Sequence, residues 1–296
     1  MSERFRYLDR ARWLQEMAAG RLSLDGRIAN ATTVLRAGSW LVWRRDHAEP
    51  EVDRSVRILH DDPSLVVVDK PAHLPSHADG PFVANTLVHI VRTMLAAPSL
   101  DLVHRLDRET SGVCVLARDA ATRDHLRRQF STNGVRKEYL AIVRGGIEHD
   151  IDVDLPIGFH GASTVSLRRS AAPDARDAKP AATRIEVLGR AADRSLVRCL
   201  PRTGRTHQIR VHLEALGAPV LGDKLYGRPD DDYLAFVARV KAGARATDVG
   251  SGEPARQLLH AAAIEFAHPG SGATVRFTSP LPDDFRPWLG TIPPPR

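Results

Sequence analysis

The amino-acid sequence predicts an α+β protein: a mostly antiparallel sheet forms the body, and a small α/β module stands ahead of it. Three observations carry this. Segments of alternating or β-branched apolar residues outnumber helical ones, and they come in runs rather than in strict alternation with helices. A polar stretch, HAEPEVDRS at 47–55, holds Pro50, lacks periodicity and separates a short front section from the strand-rich remainder. Apolar residues make up 43% of the chain, and no uninterrupted run approaches the roughly 18 residues of a membrane-crossing helix.

Residues 1–46 open with an amphipathic stretch around Ala11 to Ala18 that Gly20 ends, followed by the short segments RLSLDGR and TTVLRAGSWLVWRR. Asp25-Gly26 predicts a tight hairpin turn. The N-terminus MSERFRYLDRARWL is charged and lacks the apolar core of a signal peptide, which leads us to expect a cytoplasmic protein, with a monomer as the default state. From 56 to 296 the predicted strands are SVRILH, SLVVVDK, LVHRLD, GVCVLARD, EYLAIVRG, TRIEVLG, SLVRCLP, LLHAAAIEFAH and ATVRFTS. Helices are predicted over 85–97, 120–130, 206–217 and 231–243. Residues 161–183 and 228–257, rich in Gly, Ala, Pro and charge, read as surface insertions, where Arg168, Arg169, Arg176 and Lys179 either contact phosphates or belong to a solvated loop with no partner.

Cys114 and Cys199 both lie in apolar strands without a CxxC spacing, so we expect reduced core thiols rather than a zinc or redox site. No HExxH, P-loop or dinucleotide fingerprint is present, and the HxxxH of His73 and His77 encloses Pro75, which disrupts a two-ligand helix. Neither a metal nor a nucleotide cofactor is expected. A formal charge of +6 and a pI near 9.7 suit a polyanionic partner.

The richest stretch for chemistry is HRLDRETSG, from His104 to Gly112. It delivers Asp107 from an apolar strand into a turn that Thr110, Ser111 and Gly112 are expected to make, where an Asp is by itself an ordinary turn former. In GRTHQIRVHLEALG, from Gly204 to Gly217, Thr206 is the expected N-cap, and Ile209, Leu213 and Leu216 share an apolar face. Arg205, His207 and Arg210 then crowd a helix N-terminus, which is either a solvated basic end or an anion site for phosphate or for a carboxylate such as Asp107. Lys137-Glu138-Tyr139 opens a strand with an aromatic that is either a rim residue or a platform for a base.

Taken together and in this order, HRLDRETSG, KEY at 137–139, GRTHQIRVH at 204–212, GDKLYG at 222–227 and LLHA at 258–261 resemble the RluA-type family of RNA pseudouridine synthases. LVVVDKPAHLPSH at 65–77 resembles the start of that family's catalytic domain, with His73 where the family usually has Gly. The resemblance spans roughly 56–282. It implies a cofactor-free isomerase acting on uridines in structured RNA, ribosomal in preference to transfer RNA, by base flipping. It further implies Asp107 as the catalytic carboxylate, Tyr139 as the aromatic against the target base and Arg210 as the partner of Asp107. Ile209 and Leu258 are expected as apolar pocket wall, Arg105 as the side chain that fills the space left by the extruded base, and His104, Arg205 and Lys137 as further substrate contacts. The front section resembles the alpha-L RNA-binding fold with a shortened first helix and with Ser39 in place of the usual acidic residue, so the expected organisation is an RNA-binding module at 1–46, a linker at 47–55 and a catalytic domain at 56–296. Two rivals remain at this point: a noncatalytic RNA-binding or ribosome-associated protein on the same fold, and a metal-dependent nuclease or phosphatase using Asp107, Asp119, Asp223 and nearby histidines.

Overall fold

A computed structural model describes residues 8–44, 49–250 and 252–292. Contacts divide the chain into two compact units, Met1–Glu49 and Pro50–Arg296; the expected boundary at residue 46 falls outside the described residues.

In the first unit, helix α1 (Arg10–Ala18) packs on three strands, β1 (Leu22–Leu24), β2 (Arg27–Ile28) and β3 (Leu41–Trp43), in the order β2-β1-β3. Asp9 caps the helix by accepting from Arg12 N–H at 2.7 Å, and Gly20 follows it at φ +68°. Asp25 and Gly26 both take positive φ, as a two-residue hairpin turn requires. Trp13, Leu22 and Ala29 form the small core, joined by Trp43, whose ring lies 4.8 Å from that of Trp13.

The second unit is built on a large sheet. Its strands are β4 (Arg57–Asp61), β5 (Leu65–Lys70), β6 (Asp101–Leu102), β7 (Ser111–Ala117), β8 (Arg136–Arg144), β9 (Ile151–Asp154), β13 (Ala182–Arg190), β14 (Arg194–Pro201), β15 (Leu259–Ala267) and β16 (Thr274–Thr278). The order is β4-β5-β7-β15-β8-β14-β13-β9, with β16 on β15 and β6 on β7. Every pairing is antiparallel except β7 with β15, so the expected α+β class with a mostly antiparallel sheet holds. Strand alternation sorts the core onto two faces. Val66 and Val68 of β5 pack with Leu87, Ile90 and Val91 of α2 (Leu87–Met94), whereas Leu65 and Val67 pack with Leu126 of α3 (Ala120–Ser131). Helix α4 (Gln208–Ala215) covers Ala141, Val143, Val197 and Cys199 through Ile209 and Leu213. Cys114 and Cys199 are buried free thiols, as expected.

Several local expectations are corrected. Of LVHRLD, residues 102–107, only Leu102 lies in a strand, β6; residues 104–110 are irregular, and both the N–H and the carbonyl of Leu106 are met by the Ser76 side chain instead of a ladder. The turn falls at Arg108 and Glu109, with Thr110 N–H bonded to Asp107 O at 3.1 Å, while Ser111 and Gly112 already belong to β7. Residues 161–183 are not a loop: β11 (Arg169–Ser170) and β12 (Arg176–Lys179) flank β10 (Ile157–Phe159) in a separate three-stranded sheet. Arg168 is turned inward to the carbonyls of Leu225 and Arg228 and toward Asp230, so it is an anchor rather than a phosphate ligand. The stretch 228–257 contains α5 (Asp230–Lys241) and ends in the deeply buried Arg256.

Gly112 is a point where the backbone tolerates no side chain. It sits at φ +113°, and an added Cβ would meet the Ala261 backbone of the parallel neighbour β15. Gly112→Ala is therefore expected to cost about 3 kcal/mol or more in urea unfolding, combining left-handed strain with a backbone clash; a change under about 1 kcal/mol would show that β7 and β15 are not held this closely.

Candidate active site

The irregular segment around Asp107 is fixed from three directions. At the end of β5, Lys70 is fully buried and its Nζ donates to the carbonyls of Pro71 and Leu74, both at 2.8 Å, and of Arg108 at 3.2 Å. Burial brings this amine down to about 7, yet three acceptors match the three donors of the ammonium form. Ser76 Oγ donates to Leu106 O at 2.7 Å and accepts from Leu106 N–H at 3.1 Å. From the chain preceding β15, Arg256 donates to Glu109 O and Ser111 Oγ, each at 3.1 Å, and pairs with Asp284. Gln257 Nε2 donates to Thr110 Oγ1 at 2.8 Å, and Lys224 binds both oxygens of Glu109 at 2.8 Å.

The third direction is α4. Thr206 is not its N-cap: His207 occupies that position in the left-handed region, at φ +58°, and makes no side-chain cap bond. The capping signal is overridden by Gln208, whose amide oxygen accepts from Thr203 Oγ1 and Arg205 N–H and whose Nε2 donates to Ala182 O and Thr183 Oγ1. This anchors the approach to the helix and aims Arg210 at Asp107. Arg210 Nη1 donates to Asp107 Oδ2 at 2.8 Å, while Nε and Nη2 bind Asp223 Oδ2 and Oδ1 at 2.6 and 2.9 Å. The guanidinium also lies over Tyr226, 4.7 Å from the ring centroid.

Burial alone would raise the Asp107 carboxyl, but His207 and Arg210 outweigh it and hold it down to about 2. Burial brings His207 to about 4, so its imidazole is neutral at neutral pH and Arg210 is then the charge that keeps Asp107 ionised. Asp223 is wholly buried and is likewise held below its ordinary range against desolvation by Arg210 and by the N–H groups of Leu225 and Tyr226. Asp107 keeps 26% of its side chain open to solvent, with Oδ1 facing His207 Nε2 at 4.0 Å. His207 Nδ1 bonds the Tyr226 hydroxyl at 2.8 Å.

Asp107 and Arg210 are thus brought together. Tyr139 enters with β8 and packs against the clusters of both α2 and α4; burial raises its hydroxyl, and the Asp107 charge adds to the rise. Among the described residues that hydroxyl has no hydrogen-bond partner. Ile209 lies in the same cluster as Tyr139, but Leu258 does not. It packs on the opposite face with Ile142, Phe285 and Leu289, and Leu259 takes the place beside Ile209 and Tyr139. A one-residue step along a strand reverses the face, which corrects the expectation for Leu258. His104 is also corrected: its ring accepts Val115 N–H at 3.2 Å, stacks on Phe130 at 4.9 Å, and is driven down to about 3 by burial, so it is a neutral internal brace. Arg105 is exposed, 3.3 Å from His77 Nε2. Lys137 donates to Thr203 O at 2.8 Å and is lowered to about 8 by burial, and Arg205 is exposed and donates to Pro180 O at 3.0 Å. Sequence reasoning placed His207 only among the basic residues of the helix end, named Asp223 only for the metal-dependent rival and gave Tyr226 no role; the GDKLYG motif was the available signal for Asp223 and Tyr226.

Among the described residues, one group outside this site has metal-ligand chemistry: His60, Asp62 and His268. Both Nε2 atoms lie within 2.8 Å of Asp62 Oδ2. His268 Nδ1 accepts N–H bonds from Gly270 and Ser271, which puts the neutral ring's proton on Nε2, directed at Asp62. The arrangement ties the turn between β4 and β5 to the turn between β15 and β16.

Comparison with known proteins gives concordant results. The RNA pseudouridylate synthase family model matches residues 64–215. Ribosomal large subunit pseudouridine synthase D of Xanthomonas campestris is 34% identical over 305 residues, covering 99% of this chain and 87% of its own length. The enzyme of that same description from Nitrosomonas europaea is 37% identical over 243 residues, 80% of this chain, and the chain spans 65% of its length. Among solved structures, Human RNA Pseudouridylate Synthase Domain Containing 4 aligns with a TM-score of 0.58 at 30% identity, covering 79% of this chain and 92% of the other.

Two outcomes follow from the geometry. Asp223→Ala leaves Arg210 short of its buried partner and is expected to lower unfolding stability by about 3–5 kcal/mol, whereas a neutral result would show the pair is dispensable. Because Asp107 titrates low, its contribution to stability is present above its ordinary value and lost as pH falls through about 2. Arg210→Met should move the carboxyl-carbon NMR titration of Asp107 upward, and an unmoved midpoint would assign the depression elsewhere.

Proposed function

The chain belongs to the RNA pseudouridylate synthase family and is an RNA-modifying isomerase, and from that premise we propose that it converts specific uridines of ribosomal RNA to pseudouridine with Asp107 as the acting carboxylate. The observation that carries this reading is the ion-paired Asp107, aimed by Arg210 and Asp223 and set within the matched motifs. The names of its relatives support large-subunit ribosomal RNA as substrate. We take the protein to act as a cytoplasmic monomer without a nucleotide cofactor, with the first unit as an RNA-binding module. Among the described residues no helix is long and apolar enough to cross a membrane.

The chemistry breaks N1–C1′, turns the uracil and joins C5 to C1′; the proton lost from C5 balances the one gained at N1, and no electrons leave. The carboxylate either attacks C1′ or removes the C2′ proton, and both routes need it ionised. Arg210 supplies that condition in a site dry enough to protonate a lone carboxyl. The target base must leave the RNA stack, at a cost of a few kcal/mol, and stacking on Tyr139 returns about 1–3 kcal/mol. Ile209 and Leu259 wall the pocket, which retains the detached uracil. Arg105 fills the gap left in the RNA, while Arg205 and Lys137 meet the backbone.

The deciding experiment incubates wild type and Asp107→Asn with unmodified, transcribed large-subunit ribosomal RNA and maps pseudouridine. Sites formed by wild type alone are expected; an active Asn variant would remove Asp107 from its role, and folded wild type that binds this RNA without modifying it would favour a noncatalytic RNA-binding protein. In the same assay Tyr139→Phe should stay within about threefold of wild type while Tyr139→Ala loses tenfold or more. Equal losses would transfer the role from the ring to the hydroxyl.

A further inference from the structure

The three-stranded sheet of β10, β11 and β12 takes no part in the chemistry above. Its register places Phe159 opposite Arg169 on one neighbour and opposite Arg176 on the other. Phe159 is 42% exposed, and the Arg169 guanidinium stands 4.0 Å from the centroid of its ring. That guanidinium is held in place by its own loop, donating to the carbonyls of Ser166, Leu167 and Arg168 at 3.1, 3.2 and 3.4 Å. Among the described residues, Arg169, Arg176 and Lys179 form no ion pair, although Arg168 and Arg184 on either side of them do. Gly158 lets β12 approach closely, since a Cβ there would meet the Arg176 carbonyl.

A single exposed phenylalanine is ordinary. An exposed ring stacked on a pinned guanidinium, with uncompensated cations at its flank, is a surface for a flat π system that carries negative charge. The sheet is also tied to the catalytic carboxylate through few bonds. Arg169 N–H donates to the Tyr226 hydroxyl at 3.1 Å, that hydroxyl bonds His207 Nδ1 at 2.8 Å, and His207 faces Asp107. We infer that this sheet is a stacking platform for an unpaired nucleotide adjoining the target uridine, with Phe159 and Arg169 taking its base and Arg176 and Lys179 its phosphates. The inference rests on the reading of the site as an RNA pseudouridine synthase.

The test compares wild type, Phe159→Ala, Phe159→Tyr and Arg176→Ala on unmodified, transcribed large-subunit ribosomal RNA, with thermal unfolding alongside. Truncating the Arg169 side chain is avoided as a first variant because its loop bonds would go with it. Phe159→Ala should raise KM about tenfold with kcat within about twofold, and Phe159→Tyr should match wild type. Arg176→Ala should flatten the salt dependence of KM by about one phosphate contact. An unchanged KM in Phe159→Ala overturns the platform. A fall in kcat with KM intact overturns it too, since the sheet would then act through Tyr226 and His207. If wild type forms no pseudouridine, the synthase reading fails separately, and the dissociation constant of a labelled single-stranded oligouridylate decides the platform: weaker binding by Phe159→Ala supports it and equal binding refutes it.

Discussion

The site depends on one guanidinium shared between two carboxylates. Arg210 presents its Nε–Nη2 edge to Asp223 and its remaining Nη1 to Asp107, so the flat fork of an arginine is used on two sides at once. A lysine, being a point charge, has no such edge and could not orient both. Asp223 is tied in turn to the N–H groups of Leu225 and Tyr226. The first helix turn of α4, the turn after Gly222 and the segment carrying Asp107 are therefore fixed relative to one another by charge rather than by a backbone ladder.

That explains why Asp107 lies in irregular chain that is nonetheless immobilised. Residues 104–110 have few ladder partners, and an unmet buried backbone group costs about as much as a lost hydrogen bond. Lys70 and Arg256 approach from separate elements and donate to the carbonyls of Arg108 and Glu109, while Ser76 closes both bonds of Leu106. Arg256 is itself neutralised by Asp284 near the C-terminal end, so the carboxylate's support reaches across almost the whole second unit in sequence.

Much of this was legible where the information is local. Most strands of the large sheet, helices α2 to α5, the Asp25-Gly26 turn and the apolar face of α4 follow from periodicity and turn chemistry over a few residues. The union of Asp107 and Arg210 was legible only because both lie in recognisable motifs; nothing local links positions so far apart. What escaped depends on pairing. Leu258 and Leu259 are indistinguishable until the register of β15 against β8 is known, and that register gives the site to Leu259. The Ala-, Pro- and charge-rich composition of 161–183 hides a sheet, because β11 and β12 are held by backbone bonds to β10 and need no apolar alternation. His104 sits beside Arg105 in the motif, yet one faces inward to Val115 and the other outward to His77.

The two oxygens of Asp107 are not equivalent, and this bears on the proposed chemistry. Oδ2 is committed to Arg210, whereas Oδ1 faces an imidazole that burial leaves neutral at neutral pH. The Tyr226 hydroxyl accepts from Arg169 N–H and so has its own proton free to donate to His207 Nδ1, which places the ring proton of His207 on the Asp107 side. A charged histidine there would compete with Arg210 for the carboxylate and tie up both oxygens. A neutral one, at 4.0 Å, makes no ion pair with Oδ1, which in the proposed chemistry leaves that oxygen available to a sugar. In the proposed chemistry, burial of His207 and ionisation of Asp107 thus act in the same direction: Oδ2 is fixed by the Arg210 charge, and Oδ1 is left without an ion pair.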